Sequence, residues 1–104
     1  MLVVPLQPVP NQTLQVQLGN QPVVLDVRQT LYGLSMDVYV GAELVVGGVL
    51  CQNLNRIVRY AYLGFVGDLA FADLQGSDDP VYTGFGARFV LLYFEEGELP
   101  AAEG

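Results

Sequence analysis

Between Thr13 and Val40 apolar and polar residues change places at almost every step, and short turns cut the alternation into strand-sized lengths. Leu14, Val16 and Leu18 point one way, with Thr13, Gln15 and Gln17 the other. Val23, Leu25 and Val27 alternate with Val24, Asp26 and Arg28, and Leu34, Met36, Val38 and Val40 with Ser35, Asp37 and Tyr39. A period of two marks a half-buried strand, because successive side chains leave opposite faces of the sheet. Gly19-Asn20-Gln21-Pro22 is turn chemistry, so residues 13–29 read as a hairpin; Tyr32-Gly33 and Gly41-Ala42 supply the next breaks. The fold class is therefore all-β: six to seven short antiparallel strands in a small barrel or sandwich, an OB-like barrel being one form. The 104 residues suffice for one domain and one modest core.

The run from Glu43 to Cys51 departs from this pattern by being apolar on both sides. A strand of that kind is expected to be covered on both faces, by the core and by something else. Leu44, Val45, Val46, Gly47, Gly48 and Val49 are accordingly candidate interface residues, with a bulge or a close backbone approach expected at Gly47-Gly48. Residues 1–11 hold three prolines and read as an extended arm docking on a neighbour. Residues 53–63 combine helical spacing with β-favouring side chains and read as a short helical turn or irregular crossover, with Asn53 a candidate N-cap. A short strand over 69–73, a loop over 75–85 and a last strand over 88–95 follow. The expected organisation is an arm at 1–11, a single β-domain at 12–95 and an acidic flexible tail at 96–104.

Charge excludes whole classes of partner. Four arginines, with no lysine or histidine, face eleven carboxylates, for a net charge of −7. Specific nucleic-acid binding needs a basic face, and this chain has none. At 52% hydrophobic and 14% charged, the composition carries more apolar surface than a small sphere hides easily, which argues for association with copies or partners. Cys51, the single cysteine, permits no internal disulfide and reads as a small core residue. The first residues hold neither the basic start nor the long apolar stretch of a signal peptide or membrane span, so no membrane partner is expected.

The carboxylates Asp68, Asp73, Asp78 and Asp79 are the cluster with the most chemistry in reach. They admit three readings: a paired-acid hydrolase, a calcium loop, or carboxylates that cap and turn their own loop. The chain is short for a sugar-sized cleft, and the oxygens lack the EF-hand spacing, so the turn reading is preferred. Arg56, Arg59 and Arg88 are candidate partners for these acids, within the chain or across an interface. Gly84-Phe85-Gly86 precedes a strand rather than a helix, which excludes a phosphate loop. Six tyrosines could stack on a sugar, which keeps a carbohydrate- or small-ligand-binding β-module as the alternative. With no histidine, no catalytic pair, cofactor or metal is expected.

Gly67-Asp68-Leu69-Ala70-Phe71-Ala72-Asp73, then Gly76-Ser77-Asp78-Asp79-Pro80, then Gly84-Phe85-Gly86-Ala87-Arg88 occur in that order. The series resembles the small baseplate plug proteins of contractile-tailed phages. The resemblance implies a structural virion protein, made in the host cytoplasm and assembled as a ring at the centre of the baseplate. There it would join the tail tube to the hub and spike, and be displaced or opened when DNA is delivered. It also implies a small β-barrel and no catalysis.

Overall fold

The structure is a computed structural model that describes residues 2–58 and 65–95; Arg59 and the acidic segment 96–104 lie outside them. Seven strands follow in order: β1 (Leu2–Val4), β2 (Asn11–Leu18), β3 (Gln21–Thr30), β4 (Gly33–Val40), β5 (Glu43–Cys51), β6 (Asp68–Asp73) and β7 (Phe89–Phe94). They form two antiparallel sheets, a four-stranded meander β2-β3-β4-β5 and a three-stranded sheet β1-β7-β6. Of the two expected forms, the two-sheet arrangement is the one found, and among the described residues neither sheet closes on itself.

The meander is built by the alternation and the turns. Leu18 pairs with Gln21 across a two-residue turn, Gly19-Asn20, with φ of 58° and 65°. Both central residues being left-handed matches the turn to the twist of the strands it joins. The inward rows are Val23, Leu25 and Val27 on β3 and Leu34, Met36 and Val38 on β4. They share one core with Val4, Leu69, Phe71, Leu91 and Tyr93 of the other sheet. Each such side chain contributes about 1.5–3 kcal/mol on burial, and this shared layer is what holds the sheets together.

Two connections differ from expectation, and over 53–58 the irregular crossover is found instead of the helical turn. The proline-rich N-terminal segment is extended, but Leu2–Val4 pair with Tyr93, Leu92 and Leu91 of the chain's own β7 rather than with a neighbour. Over residues 53–58 no helix forms. Asn53 instead bridges to Phe71, and the amides of Leu54 and Ile57 donate to the carbonyls of Phe71 and Leu69, which covers the outer edge of β6. The remainder of the expected crossover, 59–63, lies outside the described residues. The loop before β7 contains a 3-10 turn over Tyr82–Gly84, and Arg88 ends that loop instead of opening the strand.

Candidate functional site

Asp73 closes β6 and Arg88 precedes β7, so the antiparallel pairing Asp73↔Phe89 brings their side chains together. The Arg88 guanidinium donates from Nε to Asp73 Oδ1 at 2.9 Å and from Nη2 to Asp73 Oδ2 at 2.8 Å, the bidentate fork that suits a carboxylate. Nη2 also donates to Asp78 Oδ2 at 2.7 Å, and the cation stands 5.0 Å from the centre of the Phe89 ring. Asp73 accepts in addition from the amides of Gln75 and Asp78, both at 2.9 Å. The hydrogen bonds from Arg88 hold the Asp73 carboxyl well below the usual carboxylate range; desolvation opposes this, and the two amides assist. Arg88 is correspondingly held in its charged form, first by its hydrogen bond to Asp73.

The other acids are used in the same manner. Asp68 is buried, accepting from the amides of Val58 at 2.8 Å and Leu69 at 2.7 Å and from Arg56 Nε at 3.0 Å. Asp79 accepts from the Asn53 amide at 2.9 Å, and Asn53 Oδ1 accepts from the Asp73 amide at 3.0 Å. Asp68, Asp73, Asp78 and Asp79 therefore bind backbone amides and arginines, with Asp73 and Asp78 meeting at Arg88 Nη2. Among the described residues no group of three acids, cysteines or histidines is placed to hold a metal. A depression of about 340 Å³ lies elsewhere, lined by Gln15, Val16, Gln17, Pro22, Val23, Val24 and Gly41, with no charged side chain.

Within the single chain the apolar strand β5 is covered on one face, where Val45, Val46 and Val49 pack against the core. It is the edge of its sheet, and Leu44 and Leu50 are 56% and 43% exposed. The bulge expected at Gly47-Gly48 is present. Met36 pairs with Val49 and Val38 with Val46, so two glycines oppose Asp37, and Gly48 (φ 64°) donates its amide to Asp37 Oδ1 at 2.6 Å. A second irregularity inserts Val45 between the partners of Val38 and Tyr39. Each insertion shifts the alternation by one residue, so Val46, Val49 and Cys51 oppose the inward residues Val38, Met36 and Leu34, while Leu44 and Leu50 turn outward.

A family model described as cyanophage baseplate Pam3 plug gp18 matches residues 1–96. The chain belongs to this baseplate plug family. Membership makes it a structural component of a phage baseplate, part of the virion tail, and implies association with other baseplate components. No curated protein matches the chain.

All seven strands of the plug-family chain fall inside the matched residues. Its Gly67 has a structural cause: φ is 87°, and a Cβ there would collide with the carbonyl oxygen of Phe94 and crowd the Tyr93 hydroxyl. That hydroxyl donates to the Val66 carbonyl at 2.6 Å. Sequence reasoning missed Gln21 and Gln29. Gln21 donates from Nε2 to the carbonyls of Leu18 and Val66 and accepts from the Val66 amide, each at 3.1 Å, tying the β2–β3 turn to the segment entering β6. Gln29 accepts from the Tyr82 amide at 3.1 Å. A glutamine in an apolar–polar alternation carries no mark of such a long-range tie. Arg28 was legible as one of four cations, but its place beside Asp37 and Asp26 on the outer face follows only from the register Asp26↔Asp37.

Proposed function

We propose that this protein is the central plug of a contractile-tail baseplate, a ring of copies that joins the tail tube above to the hub and spike below. The observation that carries this reading is the extent of the family match, which spans every strand of the fold. Two surface features support it. The β3–β4 turn presents Leu31 and Tyr32, 99% and 88% exposed, an apolar tip suited to seating on another protein. The negative charge suits a part lining a path along which DNA moves, since it disfavours retention of the phosphate backbone. The mechanism is mechanical, residing in subunit contacts, with the carboxylates and arginines holding the loops of each copy in shape.

The test is reconstitution. The full chain is mixed with the tail-tube protein and with the hub and spike proteins of the same phage, and the masses of the complexes are measured. Co-assembly with tube and hub in fixed proportion is expected. A chain that joins neither, at concentrations where tube and hub are themselves assembled, overturns the reading.

A further inference from the structure

The two sheets have four edges. The outer edge of β6 is covered by the chain's own residues 53–57, and β1 is three residues long. β2 and β5 are different: eight and nine residues long, they bound opposite sides of one sheet, and among the described residues each pairs on one side only. Proteins normally protect such edges with charge. Here the pattern is inverted. The central strands β3 and β4 carry Asp26, Arg28 and Asp37, whereas the two edge strands together carry one charged residue, Glu43.

The free side of β2 can be assigned atom by atom. In an antiparallel ladder closed by a two-residue turn, Leu18 and Gln21 exchange both bonds, and exchange recurs at every second residue. Gln12, Leu14 and Val16 therefore bond β3, and the Gln29 amide donating to the Pro10 carbonyl continues that phase. Thr13, Gln15 and Gln17 turn their N–H and C=O groups away from the sheet. The inward side chains at both edges are also incompletely covered: Leu14 and Val16 on β2, and Val45, Val46 and Val49 on β5, are only partly buried against the core.

From these observations, and resting on the ring of copies argued above, we propose that the ring closes by strand addition: β2 of one copy pairs antiparallel with β5 of the next. The occupant of each open edge is a second copy of this chain. The pairing joins unlike surfaces, so it repeats head to tail and closes where the rotation per copy divides the circle. Because β2 and β5 run in opposite directions within the meander, a rotated neighbour presents them antiparallel. Main-chain bonds left open in each copy are then made between copies. The partly covered valines of β5 extend the row begun by Leu14 and Val16, and almost no charge is buried in the process.

The test uses Gln15, whose amide faces outward and whose side chain lies on the outer face. Gln15→Pro removes that donor without touching the bonds to β3, and Gln15→Lys places a charge at the edge. Oligomer mass, cooperative unfolding, and amide exchange of Thr13, Gln15 and Gln17 are measured for the full chain, alone and with tube and hub proteins. In the wild type these amides are expected to be protected in the oligomer and to exchange freely in dilute monomer. Both variants are expected to populate the oligomer at least tenfold less, while unfolding stays cooperative. If Gln15→Pro fails to fold, Gln15→Lys and the exchange pattern decide. A wild-type oligomer whose outward β2 amides exchange freely, or one that persists in both variants, overturns strand addition. So does a chain monomeric under all conditions, or protection that arises only when a tube or hub protein sits on the edge. A failure of strand addition with the tube and hub contacts intact, seen as fixed-proportion co-assembly in the reconstitution while the outward β2 amides exchange freely, leaves the plug reading standing. A chain that stays monomeric even with tube and hub present overturns both.

Discussion

The loop around Arg88 and the two open edges of the meander are opposites. At the loop, charge is concentrated and bonded within the chain: Asp73 accepts from Arg88 and from the amides of Gln75 and Asp78, and Arg88 also donates to Asp78. At the edges there is almost no charge, and main-chain donors and acceptors face outward. The difference separates polarity from availability. Among the described residues the charged loop acts as a structural clasp, and the proposed binding surface is made of backbone and partly covered valines.

The largest effect expected from breaking the clasps is at Asp68. Asp68→Ala removes a buried carboxylate and leaves the amides of Val58 and Leu69 and the Arg56 guanidinium without that acceptor. Losing one member of a buried charged pair costs about 3–5 kcal/mol, a large share of the stability of a small domain. Urea denaturation should show an unfolding free energy lower by that amount, with the midpoint displaced by that energy divided by the m-value. A shift below about 1 kcal/mol would mean that Asp68 is dispensable and the acidic residues lie free for another role.

Arg88→Ala comes next. The Arg88 side chain is one-third exposed, so solvent softens the loss, but Asp73 loses the donor that holds its two oxygens and Asp78 loses its anchor. A fall of several degrees in the thermal midpoint is expected, with Arg88→Lys recovering only part because an ammonium cannot form the fork. Oligomer mass should change less than it does for the Gln15 variants. The reverse ranking would place the interface at the loop and undo the comparison.

How much of this was legible depends on whether the information is local. Alternation and turn residues placed the four meander strands, since both act within a few positions. The pairing of Arg88 with an aspartate of 68–79 was also legible, because four cations among eleven acids seldom lie alone. The fate of an apolar strand was not. The runs that form β5 and β7 are both rich in apolar residues, yet β7 lies between β1 and β6 while β5 is an edge. Position within a sheet is set by which strands pair, and composition does not encode it. The two bulges of β5 compounded the difficulty, since each shifts which residues face inward.

The clasp also sets the acid limit. Asp73 has a depressed folded-state pKa, so its contribution is present in full above the unfolded carboxylate value, near 4, and is lost as pH falls through the lower folded value. Stability at pH 7 and at pH 5 should therefore differ little on this account, with the loss confined to more acidic solution. Asp73→Asn removes the titrating group, so the acid limb of its stability curve should be shallower than the wild type's. An unchanged slope would mean that the carboxylate is not held by Arg88 in solution.

The smallest effect is expected at Cys51, and it reports on the edge instead of the clasp. Burial pushes this thiol up to about 12, and it closes β5 on the inner face opposite Leu34. Cys51 is 2% exposed, so alkylation of the folded chain requires β5 to open first, and the raised thiol slows it further. Iodoacetamide labelling should be slower by orders of magnitude than in urea, and slower again in the oligomer if a second copy holds the edge. Equal labelling rates in monomer and oligomer would show that the end of β5 is not held by the neighbour. Rapid labelling of the folded monomer would show that β5 frays from β4, in which case the edge is not the preformed surface that the comparison requires.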